Sequence, residues 1–114
     1  MDFHEIQHDL ATPARSLREE IPEVLAAFAG LHRAAMAEGA LETKTKELIA
    51  LAIAVTKQCD GCVASHARGA ARRGATRQEV AEAIGVTVLM NGGPGTVWGP
   101  RALEAFDEFA NDDA

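Results

Sequence analysis

A chain of 114 residues that is 47% hydrophobic and 25% charged has the balance of a folded globular domain; its length excludes two cores and its composition excludes disorder. Its net charge of −6 and lack of any long Lys/Arg cluster exclude a nucleic-acid surface. No apolar run reaches the roughly eighteen residues of a membrane span, and the acidic opening Met1 to Leu10 has no signal-peptide core, so a single cytoplasmic domain over residues 1–114 with no membrane partner is expected.

Within residues 1–10, the apolar positions Phe3, Ile6 and Leu10 suit a short, weak helix or an arm docking on a neighbour. Thr12-Pro13 is a better start signal, a capping hydroxyl followed by a residue whose missing N–H costs nothing in a first turn. Pro22 resets the chain. From there Val24, Leu25, Phe28, Leu31, Ala35 and Met36 recur near the 3.6-residue period, predicting an amphipathic helix that ends at Gly39. His32 lies beside Leu31 and suits an interface histidine better than a catalyst. His4 and His8, four apart, could clasp a metal but read more simply as exposed.

Lys44 to Gln58 forms the next expected helix, and its stretch Leu48 to Val55 has no polar side. A helix apolar all round must be covered on every face, and subunit association is the natural supply of cover. A further helix runs from Cys59 to Arg73, with Arg72 and Arg73 in its last turn and Gly74 just beyond. Thr76-Arg77-Gln78-Glu79 is a capping box opening a helix that is nearly all apolar from Ile84 to Met90. Asn91 to Gly95 breaks it. Leu103, Phe106 and Phe109 stripe the last helix, which Pro100 either starts or kinks from about Pro94, and residues 111–114 read as a frayed tail. No segment has a strand period. The expected fold is all-α, five or six helices.

The chemistry concentrates between Glu47 and His66. Cys59, Cys62 and His66 form C-x-x-C-x-x-x-H, and on a helix positions three, four and seven apart share a face. If the chain reverses near Lys57 and Gln58, Glu47 and His66 lie roughly 15 Å and 12 Å from the turn, level to within about 3 Å. Carboxylate, imidazole and both sulfurs should then meet in one sealed cavity. Zinc is a weaker reading, because three ligands on consecutive turns of one helix crowd a tetrahedral ion and the fourth ligand must come from His32, His4, His8 or Glu47. Haem attachment is excluded, since Val63 follows Cys62. Without a strand, a thioredoxin frame is excluded too.

Redox chemistry needs a thiol whose pKa can fall, a second thiol to resolve its oxidised form, and an acid–base group to move protons. All are present. The helix dipole favours Cys59, nearest the N-terminus, but His66 lies one turn above Cys62, which favours Cys62 as nucleophile and Cys59 as resolving thiol.

E-x11-C-x-x-C-x-x-x-H, preceded by L-x-x-K-x-K-E-L-I-A-L-A and followed by a Gly-rich break, resembles the carboxymuconolactone decarboxylase superfamily in its alkylhydroperoxidase D-like (AhpD-like) branch, over roughly Leu41 to Phe109. The resemblance implies a helical bundle that assembles as trimers or hexamers. It implies peroxide reduction by the second cysteine, with Glu47 and His66 as proton relay, no tightly bound cofactor, and an external dithiol of the dihydrolipoamide type as reductant. Some relatives carry a His between the cysteines where this chain has Asp60-Gly61. Trp98 and Arg101, after the Gly-rich break, are candidates to wall the pocket or another subunit's. Two other functions fit the superfamily or the motif: a carbon–carbon lyase acting on a lactone, and a redox-sensing oligomer without catalysis.

Overall fold

The computed structural model describes residues 2–113. Its order is α1 (Phe3–Glu20), α2 (Pro22–Met36), α3 (Thr43–Lys57), α4 (Asp60–Arg72), α5 (Arg77–Asn91) and α6 (Gly93–Ala110), closed by a 3₁₀ turn, Asn111–Asp113. No strand occurs among the described residues. The all-α expectation of five or six helices holds at six. No helix among these residues is long and apolar enough to cross a membrane.

The first helix corrects two expectations. Asp2 caps it by accepting the Glu5 N–H at 3.1 Å, and it runs unbroken through Pro13 to Glu20, so Thr12 is not a start. Proline deprives one carbonyl a turn earlier of its partner. Here that is Asp9, which is exposed, so water can take the donor's place and the helix need not end. The N-terminal arm docks within its own chain: Phe3 is fully buried, and its N–H donates to Glu108 Oε1 at 2.9 Å. The expected frayed tail is instead a turn over 111–113, where Asp112 meets His4. Ala114 lies outside the described residues.

Pro22 does open α2, in its first turn. The helix stops at Met36 and not at Gly39, because side chains of α3 capture its last carbonyls. Thr43 Oγ1 donates to Met36 O at 2.8 Å and Lys46 Nζ to Ala37 O at 2.6 Å. On α3 only one side is buried, through Leu51, Ala54 and Val55; Ile49 and Ile53 stand 46% and 51% exposed. The expected lack of cover is real within one chain.

Gln58 takes the left-handed conformation at φ 55° and turns the chain back. α4 then threads between α3, α6 and α1. Its buried face is Val63, Ala64, Ala67 and Ala70, small enough to let three neighbours approach. Thr76 and Glu79 form the expected reciprocal cap of α5. The Gly-rich stretch is less of a break than expected: Gly92 alone leaves the helix, at φ 64°, and α6 runs from Gly93 through Pro100. Gly95 and Gly99 serve packing, since a Cβ there would lie 2.9 Å from Thr87 O and 2.7 Å from Ile84 Cγ2. Close contact between α5 and α6 explains Gly95, which read as punctuation, and Gly99 beyond it.

Candidate active site

The α3–α4 reversal sets the register of the site. Glu47, in the second turn of α3, is 7% exposed, and its Oε2 lies 2.9 Å from His66 Nδ1 on the facing helix. Counting residues from the turn placed these groups level, and they form a hydrogen bond. With Nδ1 engaged by the carboxylate, Nε2 is the nitrogen left for proton exchange.

Cys59 caps α4, its Sγ accepting the Cys62 N–H at 3.2 Å. The two cysteines are joined in a disulfide with Cα atoms 5.2 Å apart. In this state the sulfurs are bonded to each other and are not thiolates able to bind a metal. Cys59 is half-buried and Cys62 exposed. Cys62 and His66, four residues apart, line one cavity of about 210 Å³ whose other walls are Ala50, Ile53, Ala54 and Lys57. Glu47 stands behind His66 and is not part of that wall.

The sealed cavity expected from sequence is not formed by one chain. Cys62 is open to solvent, and the wall residue Ile53 is itself half-exposed because nothing covers that side of α3. A hairpin can bring the four groups together, but closing the space over them takes a further surface.

His32, read as an interface histidine, stands beside the site. Its ring stacks over that of His66, with centroids 6.2 Å apart and planes 17° from parallel. Nothing in the local sequence signals this. It depends on the bends between Met36 and Thr43, which set how α2 returns over α3. A second cavity of about 370 Å³ opens there against Glu47, with His32, Arg33, Glu38, Thr43 and Arg73 among its walls.

Asp60, beside the disulfide, is offset by a cation. Arg101 Nη1 lies 3.9 Å from Asp60 Oδ1, too long for a hydrogen bond but close enough for charge compensation, and its guanidinium stacks 4.5 Å from the Trp98 ring. Arg101 therefore reaches the start of α4 with Trp98 stacked on it, and neither lines the cavity that holds Cys62 and His66. His4 pairs instead with the C-terminal end of the chain, with Nε2 2.8 Å from Asp112 and Nδ1 3.4 Å from Glu108. The two carboxylates hold its proton, the Asp112 hydrogen bond foremost, and raise its pKa above the usual imidazole value.

Comparison with known proteins gives a consistent result. The family model described as the carboxymuconolactone decarboxylase family matches residues 22–111. An uncharacterised protein of Cupriavidus necator is 42% identical over 92 residues, covering 81% of this chain and 81% of its own. Uncharacterised protein 4 in the cox locus of Paracoccus denitrificans is 42% identical over 83 residues, 73% of this chain and 75% of its own. Among solved structures, the apo form of a carboxymuconolactone decarboxylase family protein from Legionella pneumophila superimposes with a TM-score of 0.92 at 45% identity, covering 95% of this chain and 96% of that one.

Proposed function

The chain belongs to the carboxymuconolactone decarboxylase family, and from that premise we propose that it is an AhpD-like, thiol-dependent alkylhydroperoxidase. The observation that carries this reading is the Glu47–His66 hydrogen bond set beside the Cys59–Cys62 pair. In the reduced protein His66 Nε2 takes the Cys62 thiol proton, the thiolate attacks the terminal peroxide oxygen, the O–O bond breaks, and the departing alkoxide takes that proton back from Nε2 to leave as alcohol. Glu47 orients and polarises the imidazole. Cys59 then displaces hydroxide from the Cys62 sulfenic acid, which leaves as water, and a disulfide closes. An external dithiol of the dihydrolipoamide type, in the cytoplasm, returns both thiols and is itself oxidised to a disulfide. Exposure favours these roles: the attacking sulfur is the open one, the resolving sulfur the half-buried one.

The reading includes self-association, as a trimer or hexamer. Val24, Phe28 and Leu31 on α2 are each more than 60% exposed, and Ile53 leaves the cavity open; a second copy would cover both kinds of surface. Free thiols are to be counted in the reduced protein after one equivalent of an organic hydroperoxide. Two thiols per chain should disappear together, and Cys62→Ser should abolish turnover without unfolding the chain. Retained turnover in that variant rules out the mechanism.

A second reading has one observation in its favour. The cavity against Glu47 is lined by Arg33 and Arg73, two cations suited to a dicarboxylate, as a lactone decarboxylase would need, with Glu38 on the same wall. Lactone consumption that persists after both thiols are alkylated would select it over the peroxidase.

A further inference from the structure

Gly69 stands in the middle of α4, where alanine would be the better helix former. It lies three residues past His66 and so on the same side of the helix. A Cβ built on it would collide with Glu47 Oε2 and Cδ and stand 2.7 Å from Oε1. The Glu47 carboxylate thus rests directly against the backbone of α4, with both oxygens at a position where that helix carries no side chain. Gly85, in the middle of α5, offers the contrast: a Cβ there meets nothing within 4 Å.

The consequence follows from what can move. Helix backbones are fixed by packing on three sides, whereas a carboxylate is the far end of a flexible side chain. A methyl group at position 69 would leave α4 in place and push the carboxylate away from His66 Nδ1. We infer that Gly69 is a positioning residue: its missing side chain forms the seat that holds Glu47 on His66 and so selects the imidazole nitrogen left free toward Cys62. This rests on the reading of Glu47 and His66 as a proton relay, but the geometry can be tested without peroxide.

The test uses protein labelled with ¹⁵N-histidine, in which two-bond ¹⁵N–¹H correlations above the imidazole titration report which nitrogen of His66 carries the proton. Wild type is expected in the Nδ1–H form. Gly69→Ala should move His66 toward the Nε2–H form, as Glu47→Ala does, while Gly85→Ala leaves it unchanged. Thermal unfolding supplies a second measurement. Gly85→Ala should raise Tm by about 4 °C, the gain of replacing a helical glycine. Gly69→Ala should fall short of that gain in the wild-type background and reach it in the Glu47→Ala background, where the carboxylate is gone. An unaltered His66 tautomer in Gly69→Ala, an Nε2–H form already in wild type, or an equal Tm gain in both backgrounds would each overturn the assignment. If Gly69→Ala does not fold, recovery of folding in the Glu47→Ala/Gly69→Ala pair supports the seat, and failure of that pair to fold refutes it. A wild-type protein that keeps its thiols in the presence of hydroperoxide would defeat the peroxidase reading and leave this result standing.

Discussion

Residues 11–36 and helix α4 solve opposite problems. From Ala11 to Met36 not one side chain is buried, although the chain there is helical on both sides of Ile21. In α4, Val63, Ala64, Ala67 and Ala70 are all 0% exposed. Local signals mark the helices of the first region: the Asp2 cap at the start of α1, proline in the first turn of α2 and Glu23 at its positive end. Helix formation and burial are thus separate properties. The large apolar side chains Val24, Phe28 and Leu31 lie where one chain has nothing to cover them, while alanines make up most of the buried face of α4. Small residues bring backbones close, and that closeness lets a carboxylate on α3 reach an imidazole on α4. Bulk on α2 suits a meeting with another surface.

Truncations should expose this difference most strongly. Phe106→Ala, at 4% exposure, is expected to cost about 3–5 kcal/mol in urea unfolding, and Leu51→Ala about 2–5 kcal/mol. Phe28→Ala, at 63% exposure, should change stability by no more than about 0.5 kcal/mol in dilute protein. Because self-association stabilises by mass action, that cost should grow as protein concentration rises. A cost that is small at every concentration would break the link between the α2 stripe and assembly. Added bulk gives the same contrast at smaller scale. Ala67→Leu should cost about 1–3 kcal/mol by overpacking α4, and Ala27→Leu, on exposed α2, should cost almost nothing.

What the sequence made legible in advance falls along the same line. The capping box at Thr76 is carried by four adjacent residues, and the level placement of Glu47 and His66 needs only the 1.5 Å rise and one turn. Both could be read by counting. Pro13 and the Gly92–Gly99 stretch could not, because each residue type has two uses. Proline ends a helix when the orphaned carbonyl is buried and is tolerated when that carbonyl is wet; glycine ends a helix or lets another helix come close. Tertiary packing decides between them, as Thr87 and Ile84 do for Gly95 and Gly99. The stacking of His32 on His66 depends on the path of the Met36–Thr43 connection and had no local signal at all.

A medium effect should come from a feature independent of both regions. Thr76 Oγ1 accepts the Glu79 N–H at 3.0 Å, and Glu79 Oε1 accepts the Thr76 N–H at 2.8 Å. Thr76→Ala should cost about 1 kcal/mol, whether or not chains associate. The Thr76 N–H, with Lys44 adding to it, holds the Glu79 carboxyl below its ordinary pKa. Its contribution is therefore present above the ordinary carboxylate range and is lost as pH falls through the lowered value. A Thr76→Ala cost that changes with protein concentration would place α5 in the interface and shift the boundary drawn between the two regions.

The smallest expected effect divides α1 itself. Its first turn is anchored, through Phe3 in the core and His4 between Asp112 and Glu108, whereas its second half, residues 11–20, is exposed throughout. His4 has a raised pKa in the folded chain, so its contribution is complete below the ordinary imidazole value and disappears as pH rises through the raised one. Thermal unfolding of wild type and His4→Gln should differ at pH 6 and converge by about pH 9, since only the protonated ring gains from the two carboxylates. Hydrogen exchange should localise the loss. The Phe3 amide, bonded to Glu108 at 2.9 Å, should lose protection over that interval beyond the ordinary base-catalysed increase, because Glu108 gives up one of its two partners. Amides of residues 11–20 should show no such excess. Equal excess along the whole of α1 would mean that the helix is released as one rigid piece, and that its exposed half owes its order to the anchor and not to its own residues.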